Sequence, residues 1–486
     1  MHRGAEMAKK DYNLIVIGGG SAGLVSAYIG SVLKAKVALI EKHKMGGDCL
    51  NTGCVPSKAL LRSGKILSYI KRHQLYGLKS ASAEFDFADI MERVQNVIQK
   101  VEPHDSIERY TRLGVDCYTG AAKLLSPHEV EVDGKTLTTQ NIIIATGATP
   151  AVPPIGGLDQ VDALTSDTLW SLRELPNRLL IAGGGPIGSE LAQAFVRVGS
   201  QVTQVEMGPE ILSREDEDVS RTVRQKFVSE GIDVRVNTKC KEVIKEDGRT
   251  FMRVEKQDGT TEDIEFDRIL VAVGRAANAK GFGLEEIGVK LGDRGTVEVD
   301  EYLRTPAHKN IYACGDVAGP YQFTHTAAHQ AWFCAVNALF SPFKKFKVDY
   351  SVVPWCTFTD PEVARAGLNE MEAKEQNIPY EVTTYGIDDL DRAIADSEDH
   401  GFVKVLTPPG KDKILGVTIV GFHAGDLIAE YVLAMKHGLG LNKILSTIHI
   451  YPTMAEANKF AAGVWKKNNA PEGLLKWVQK FHNWRR

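Results

Sequence analysis

Cysteine is scarce, with seven residues in a chain of 486. That excludes a disulfide-stapled scaffold, and the odd number excludes a fully paired set. No apolar run approaches the ~18 residues of a membrane-spanning helix. An excess of either charge is missing too. Lysine and arginine number 58 against 62 acidic residues, a net charge of −4. The basic surface that nucleic-acid binding requires is therefore lacking. The N-terminal stretch MHRGAEMAKKDYN has no apolar segment of signal-peptide length. These features read as a cytoplasmic protein, a compartment where structural disulfides rarely persist. A close cysteine pair in such a chain points to redox or metal chemistry. With 43% hydrophobic and 25% charged residues, the composition is that of an ordinary globular protein, not a fibrous or disordered one. At about 150 residues per domain, the length suggests three domains.

What is present is one pattern used twice. The apolar run Asn13–Ile17 leads into Gly18, Gly20 and Gly23, then a helical stretch, then a second apolar run ending at Glu41. The first glycine permits a tight turn and the second lets the backbone approach a pyrophosphate. The third lets helix and strand pack closely, and the helix N-terminus attracts phosphate. Glu41 lies 23 residues after Gly18, placed to accept from a ribose hydroxyl. The pattern recurs as Leu179–Ala182, then Gly183, Gly185 and Gly188, ending at Glu206, again 23 residues after the first glycine. Each unit closes on an apolar strand ending in glycine: Asn141–Ala145 with Thr146 and Gly147, and Arg268–Val273 with Gly274. Two dinucleotide sites on one chain imply a flavin and a nicotinamide exchanging hydride. A carboxylate at Glu206 pairs with a free 2′-hydroxyl and repels a 2′-phosphate, so NADH is expected over NADPH. Arg214, the nearest downstream base, lies beyond the strand end.

Cys49 and Cys54 follow soon after Glu41 in the string GGDCLNTGCVPSK. Pro56 suits the first turn of a helix, and a helix N-terminus with Lys58 nearby would raise thiolate content. A redox-active dithiol beside the first dinucleotide is the main reading. Inert buried thiols, a static disulfide, and a zinc site using His43, Asp48, Cys49 and Cys54 are the alternatives. The last lacks a second cysteine pair to complete a tetrahedral set, and no metal is expected. Cys117, Cys240, Cys314 and Cys334 read as small packing residues. Cys356 reads as packing, with a substrate-channel thiol as its alternative.

This string resembles the active-site motif of the class I pyridine nucleotide-disulfide oxidoreductases, which include dihydrolipoyl dehydrogenase, glutathione reductase and mercuric reductase. Both glycine fingerprints, Glu190, the Ala145–Gly147 turn, the segment Ile311–Asp316 and the segment Thr359–Ala364 share the resemblance, which covers nearly the whole chain. It implies an α/β fold with two Rossmann-like domains, for FAD and NAD, plus a C-terminal α+β dimerisation domain. The corresponding division is 1–152 and 278–347 for FAD, 153–277 for NAD, 348–468 for dimerisation, and a tail over 469–486. It also implies that Asp316 hydrogen-bonds the FAD ribitol, that Lys58 and Glu190 pair beside the flavin ring, that Cys54 faces the flavin, and that Cys49 is the interchange thiol. In a homodimer, the C-terminal segment would complete the other subunit's site.

The chain departs from the resemblance in that segment. Tyr451 stands where disulfide-reducing members carry a histidine base, while Glu456 is retained. A phenol with a pKa of about 10 is a poor base at neutral pH, and His449 is the nearby substitute. Tyr451 and the pair Gln322–Phe323 resemble mercuric reductases, yet no cysteine follows Cys356, so the C-terminal cysteine relay of those enzymes is missing. The acceptor stays open between dihydrolipoamide, another disulfide, a metal ion and a quinone. The alternative function is a thiol redox sensor or a membrane-associated electron-transfer partner. Within residues 471–486, Leu474, Trp477, Val478, Phe481 and Trp484 recur at helical spacing among basic residues. That composition suits a membrane-surface helix, which would place the cytoplasmic protein peripherally at the membrane, with packing on its own domain or the dimer mate as the alternative.

Overall fold

The run Leu14–Ile17 is buried throughout because the strand Tyr12–Ile17 lies mid-sheet with both faces covered. The structure, a computed structural model, describes residues 9–341 and 343–486. Most of the polar N-terminal stretch, residues 1–8, thus lies outside the described residues. Strands Val115–Thr119, Val37–Glu41, Tyr12–Ile17 and Lys135–Ile144 run parallel in that order. Ile311–Ala313, far along the chain, adds parallel to Lys135–Ile144. Alternate side chains serve opposite layers. Leu14 and Val16 pack with Ala22, Leu24, Ala327 and Ala331 of the helices Ser21–Val32 and Thr324–Phe340. Ile15 and Ile17 pack with Leu124, Val130, Leu284 and Val297 on the other side.

A second parallel sheet has the order Asp233–Arg235, Gln201–Val205, Arg178–Ala182, Arg268–Val271. An antiparallel sheet of Thr238–Glu246, Arg249–Lys256 and Thr261–Glu265 accompanies it. The chain enters and leaves this unit through two strands, Ala148–Pro150 and Arg275–Ala277, that pair antiparallel. Beyond them lies a five-stranded antiparallel sheet in the order Pro354–Thr357, Glu362–Gly367, Gly416–Gly421, Phe402–Thr407, Glu381–Gly386. Helices Ala424–Lys436 and Glu456–Asn468 pack against it through Leu427, Tyr431, Ala457 and Ala461. This is the expected class: α/β with two dinucleotide-binding units and a C-terminal α+β unit.

Buried ion pairs fasten the C-terminal unit to the others. Lys404 holds Asp216 at 2.8 Å and Asp218 at 2.7 Å. Asp360 is held by Lys65 and Arg197, each at 2.6 Å. Residues 471–486 form the helix Glu472–Arg485, and it buries no side chain. Packing on its own domain is therefore not how this helix is held. No described helix is long and apolar enough to cross a membrane.

The glycine turns work by contact. A Cβ on Gly23 would sit 1.8 Å from the Gly18 carbonyl oxygen, so helix and turn close only without one. Gly23→Ala is expected to cost about 1–3 kcal/mol through overpacking, read as a lower urea midpoint. An unchanged midpoint would contradict the close approach.

Candidate functional site

The two parallel sheets present their glycine turns to one connected cavity of about 3690 Å³. Gly18, Gly20, Glu41, Thr146, Gly147, Gly183, Gly185, Glu206, Gly274 and Asp316 line it, together with Cys49, Cys54, Lys58 and Glu190. Gly23 and Gly188 lie beneath, in the first turns of the helices Ser21–Val32 and Pro186–Arg197. A Cβ at Gly147, between two strands, or at Gly185, at the start of the helix Pro186–Arg197, would meet no atom within 4 Å, leaving bare backbone open to the cavity. That cradle fits two dinucleotides.

The two acids act alike. Glu41 Oε2 accepts from Gly19 N at 2.6 Å and Oε1 from His43 N at 2.7 Å. Glu206 Oε2 accepts from Gly184 N and Oε1 from Gly208 N, both at 2.6 Å. Each carboxylate thus ties its glycine turn while facing the cavity.

Cys49 sits in the short helix Gly47–Asn51, and Cys54 opens the helix Cys54–Lys71. Both are free thiols, and Cys54 is exposed to the cavity. Their surroundings separate them. The Cys54 thiol is pushed down to about 6, chiefly by the neighbouring Cys49 thiol; burial opposes this, while the Thr324 hydroxyl and Lys58 add to it. Cys49 is driven up, by its contact with Cys54 and then by burial. The negative charge of the reduced pair therefore rests on Cys54.

Lys58 lies one helical turn beyond Cys54 on the same face. Its ammonium meets Glu190 Oε2 at 2.7 Å and lies 4.5 Å above the Phe358 ring. Glu190 Oε1 accepts from Phe358 N at 2.9 Å. Burial opposes the charge on Lys58, but Glu190 overrides it and the ammonium is held more firmly protonated. Asp316 is raised by burial and faces Arg275 Nε at 3.6 Å. Arg275 also donates to the Ala148 carbonyl at 2.7 Å and pairs with Asp48, beside Cys49.

Tyr451 and Glu456 are not brought to the dithiol within one chain. They line a separate cavity of about 130 Å³ with Asp389 and Asp391. The Tyr451 hydroxyl donates to Asp391 Oδ2 at 2.9 Å, and Glu456 Oε2 accepts from Thr453 N at 3.3 Å. His449 has both ring nitrogens engaged within its own unit, with Thr447 O at 3.0 Å and Glu430 Oε1 at 2.9 Å. It does not stand in at the Cys49–Cys54 pair of its own chain.

His43, Asp48, Cys49 and Cys54 do not converge as a group of ligands. Among the described residues, one group of metal-capable side chains converges: Asp360, Glu398 and His400. Lys65, Arg72 and Arg197 already neutralise its acids. Cys356 lines the main cavity, and burial pushes its thiol well up. Cys314 and Cys334 are buried.

Residues 12–331 match the family model for pyridine nucleotide-disulphide oxidoreductases, and 353–462 match the dimerisation domain of the same family. The chain belongs to this family. It is a class I pyridine nucleotide-disulfide oxidoreductase, an FAD-dependent enzyme type that uses NAD(P)H. It is 34% identical over 458 residues to a mercuric reductase from Staphylococcus aureus, covering 94% of this chain and 83% of that protein. It is 35% identical over 451 residues to a dihydrolipoyl dehydrogenase from Chlamydia muridarum, covering 92% and 95%. The solved HOCl-induced flavoprotein disulfide reductase RclA from Escherichia coli superposes with a TM-score of 0.81 at 26% identity, covering 93% of this chain and all of that one. A Cu(II) complex of RclA superposes with a TM-score of 0.81 over 92% of this chain.

Three residues of this oxidoreductase site carry no motif signal of their own: Thr324, Arg275 and Phe358. Each reaches the site through a tertiary approach from a distant segment. The charge asymmetry of the pair gives a direct expectation. The ionised Cys54 is present above its midpoint and lost as pH falls through it. The ultraviolet thiolate absorbance of reduced protein, taken as the difference from Cys54→Ser, should titrate at about 6. A midpoint at the ordinary thiol value of about 8.5 would contradict the asymmetry.

Proposed function

We propose that the enzyme passes electrons from NADH to a disulfide or another oxidised small acceptor through the Cys49–Cys54 pair. The observation that carries this is the helix Cys54–Lys71. It holds a lowered thiol at its first residue, and the Lys58–Glu190 pair one turn later. FAD, when bound along Gly18, Gly20, Gly23, Thr146, Gly147 and Asp316, supplies the relay between nicotinamide and disulfide. Lys58 and Glu190 mark the nicotinamide side. Glu206, at the end of its strand, favours the free 2′-hydroxyl of NADH.

With a disulfide acceptor, Cys49 gives up its proton to a base, its thiolate attacks one acceptor sulfur, and the other sulfur leaves and takes that proton as a thiol. The Cys54 thiolate then attacks Cys49 Sγ, re-forming the internal disulfide and releasing the second sulfur as thiolate. Two electrons pass to the acceptor in total. The match of 353–462 to a dimerisation domain supports a homodimer in which Tyr451 and Glu456 face the partner's dithiol. The similarity to mercuric reductases supports a metal ion as a further acceptor. The sequence has no cysteine beyond Cys356, so metal delivery by a C-terminal thiol relay is not part of the proposal.

The test is an acceptor screen with NADH and NADPH against lipoamide, oxidised glutathione, mercuric and cupric ions, and quinones. Sustained turnover with NADH is expected for at least one acceptor. Cys49→Ser and Cys54→Ser should each lower disulfide-dependent turnover at least ~100-fold, on the scale of losing a catalytic nucleophile, with FAD retained. Full activity in either variant would overturn the dithiol route. A single reduction event per site with every acceptor would support the redox-sensor alternative.

The tail helix exposes Leu474, Trp477 and Trp484 beside Lys476 and Lys480. We assign it to docking on an anionic lipid surface, since basic and tryptophan-rich helices suit that interface. Vesicles containing anionic lipid should cosediment the full-length protein and not a chain ending at residue 470. Equal partitioning would end the assignment.

A further inference from the structure

Two helices begin at the same sulfur. Cys54 is the first residue of Cys54–Lys71, and Thr324 is the first residue of Thr324–Phe340. The unpaired N–H groups of both first turns, with their positive dipole ends, converge on this point. Thr326, two residues further on, spends its hydroxyl on the Phe323 carbonyl at 2.9 Å, the local bond usual for a threonine in a first turn. The Thr324 hydroxyl does something else. Its oxygen lies 3.3 Å from Cys54 Sγ; the hydroxyl also favours charge on Cys49, but there the Cys54 contact and burial outweigh it. A thiolate has no proton to give, so in the reduced, ionised pair the hydroxyl must be the donor.

We propose that Thr324 is a positioning residue for the dithiol, its hydroxyl donating to the Cys54 sulfur and holding the negative charge there rather than on Cys49. This rests on the reading of Cys49–Cys54 as the redox pair and adds to it a cause for their division of labour. The bond acts on one protonation state only. In the disulfide the sulfur is neutral and accepts weakly; after reduction to one thiol and one thiolate it accepts strongly. Thr324 therefore favours the reduced pair with the charge on Cys54, and it leaves the proton on Cys49, the sulfur that meets the acceptor. Lys58 adds a more distant charge to the same end, but its ammonium is already engaged by Glu190 at 2.7 Å. The directed bond comes from Thr324.

Thr324→Val removes the hydroxyl while keeping the branched shape, and Thr324→Ser keeps it. In reduced holoenzyme, the thiolate absorbance is titrated against pH as the difference from Cys54→Ser. A hydrogen bond to a charged group corresponds to a shift of about one pH unit. The Val variant should titrate about one unit higher than wild type, and the Ser variant close to wild type. An unshifted Val variant would overturn the proposal, as would a Ser variant shifted as far as Val. The two failures are distinguishable. If either of Cys49→Ser and Cys54→Ser keeps full turnover, the dithiol reading fails. If they lose it while Thr324→Val titrates like wild type, only the role of Thr324 fails.

Discussion

Lys58 and Glu190 stand 2.7 Å apart across the seam between the two dinucleotide-binding units. Lys58 belongs to the helix that begins at Cys54, and Glu190 to the helix that follows the second glycine turn. Glu190 is the buried member and Lys58 is partly exposed, so the Glu190 carboxylate is the charge that requires its partner. The pair fixes the register between the two helices and thereby the distance from the dithiol to the nicotinamide side. Further along the same seam, Arg197 and Lys65 share Asp360 from the C-terminal unit. Three units are locked around one redox helix by charges that cannot be left unpaired.

Within that frame the two cysteines become unlike. Cys54 lies where two helix N-termini, a hydroxyl and an ammonium all favour negative charge. Cys49 lies beside a sulfur that already carries it, and burial raises it further. The asymmetry comes from placement, since the residues are chemically identical. It also leaves the attacking sulfur protonated, so a base for Cys49 is needed at the first step, and Tyr451 stands where a histidine is usual for disulfide reducers. Tyr451 has its hydroxyl on Asp391, which raises the phenol further.

The fold was largely legible in the sequence, because its signals are local. Glycine at 18, 20 and 23, a continuous apolar run over Leu14–Ile17, and an acid ending the next strand each reflect a requirement that one segment meets alone. The same held for Gly183–Gly188 with Glu206. The dithiol and Lys58 were legible for the same reason, since they lie in one short stretch of chain, from Cys49 to Lys58. Thr324 and Arg275 were not. Their meaning depends on which distant side chain they meet: Thr324 reaches a sulfur 270 positions away, and Arg275 spans Asp48 and Asp316. His449 was named as a substitute base from its place two residues before Tyr451; within its own chain Glu430 and Thr447 engage its ring. The tail helix was legible as a helix, but only its exposed faces show that its own chain does not bury it.

The central claim is that electrons rest on the Cys49–Cys54 pair between donor and acceptor. Anaerobic titration of the oxidised enzyme with NADH, with thiols counted at each addition, tests it most directly. One equivalent of NADH per chain should yield two new thiols, mapped to Cys49 and Cys54, while the flavin retains its oxidised absorbance. Bleaching of the flavin by the first equivalent, with no new thiols, would contradict it.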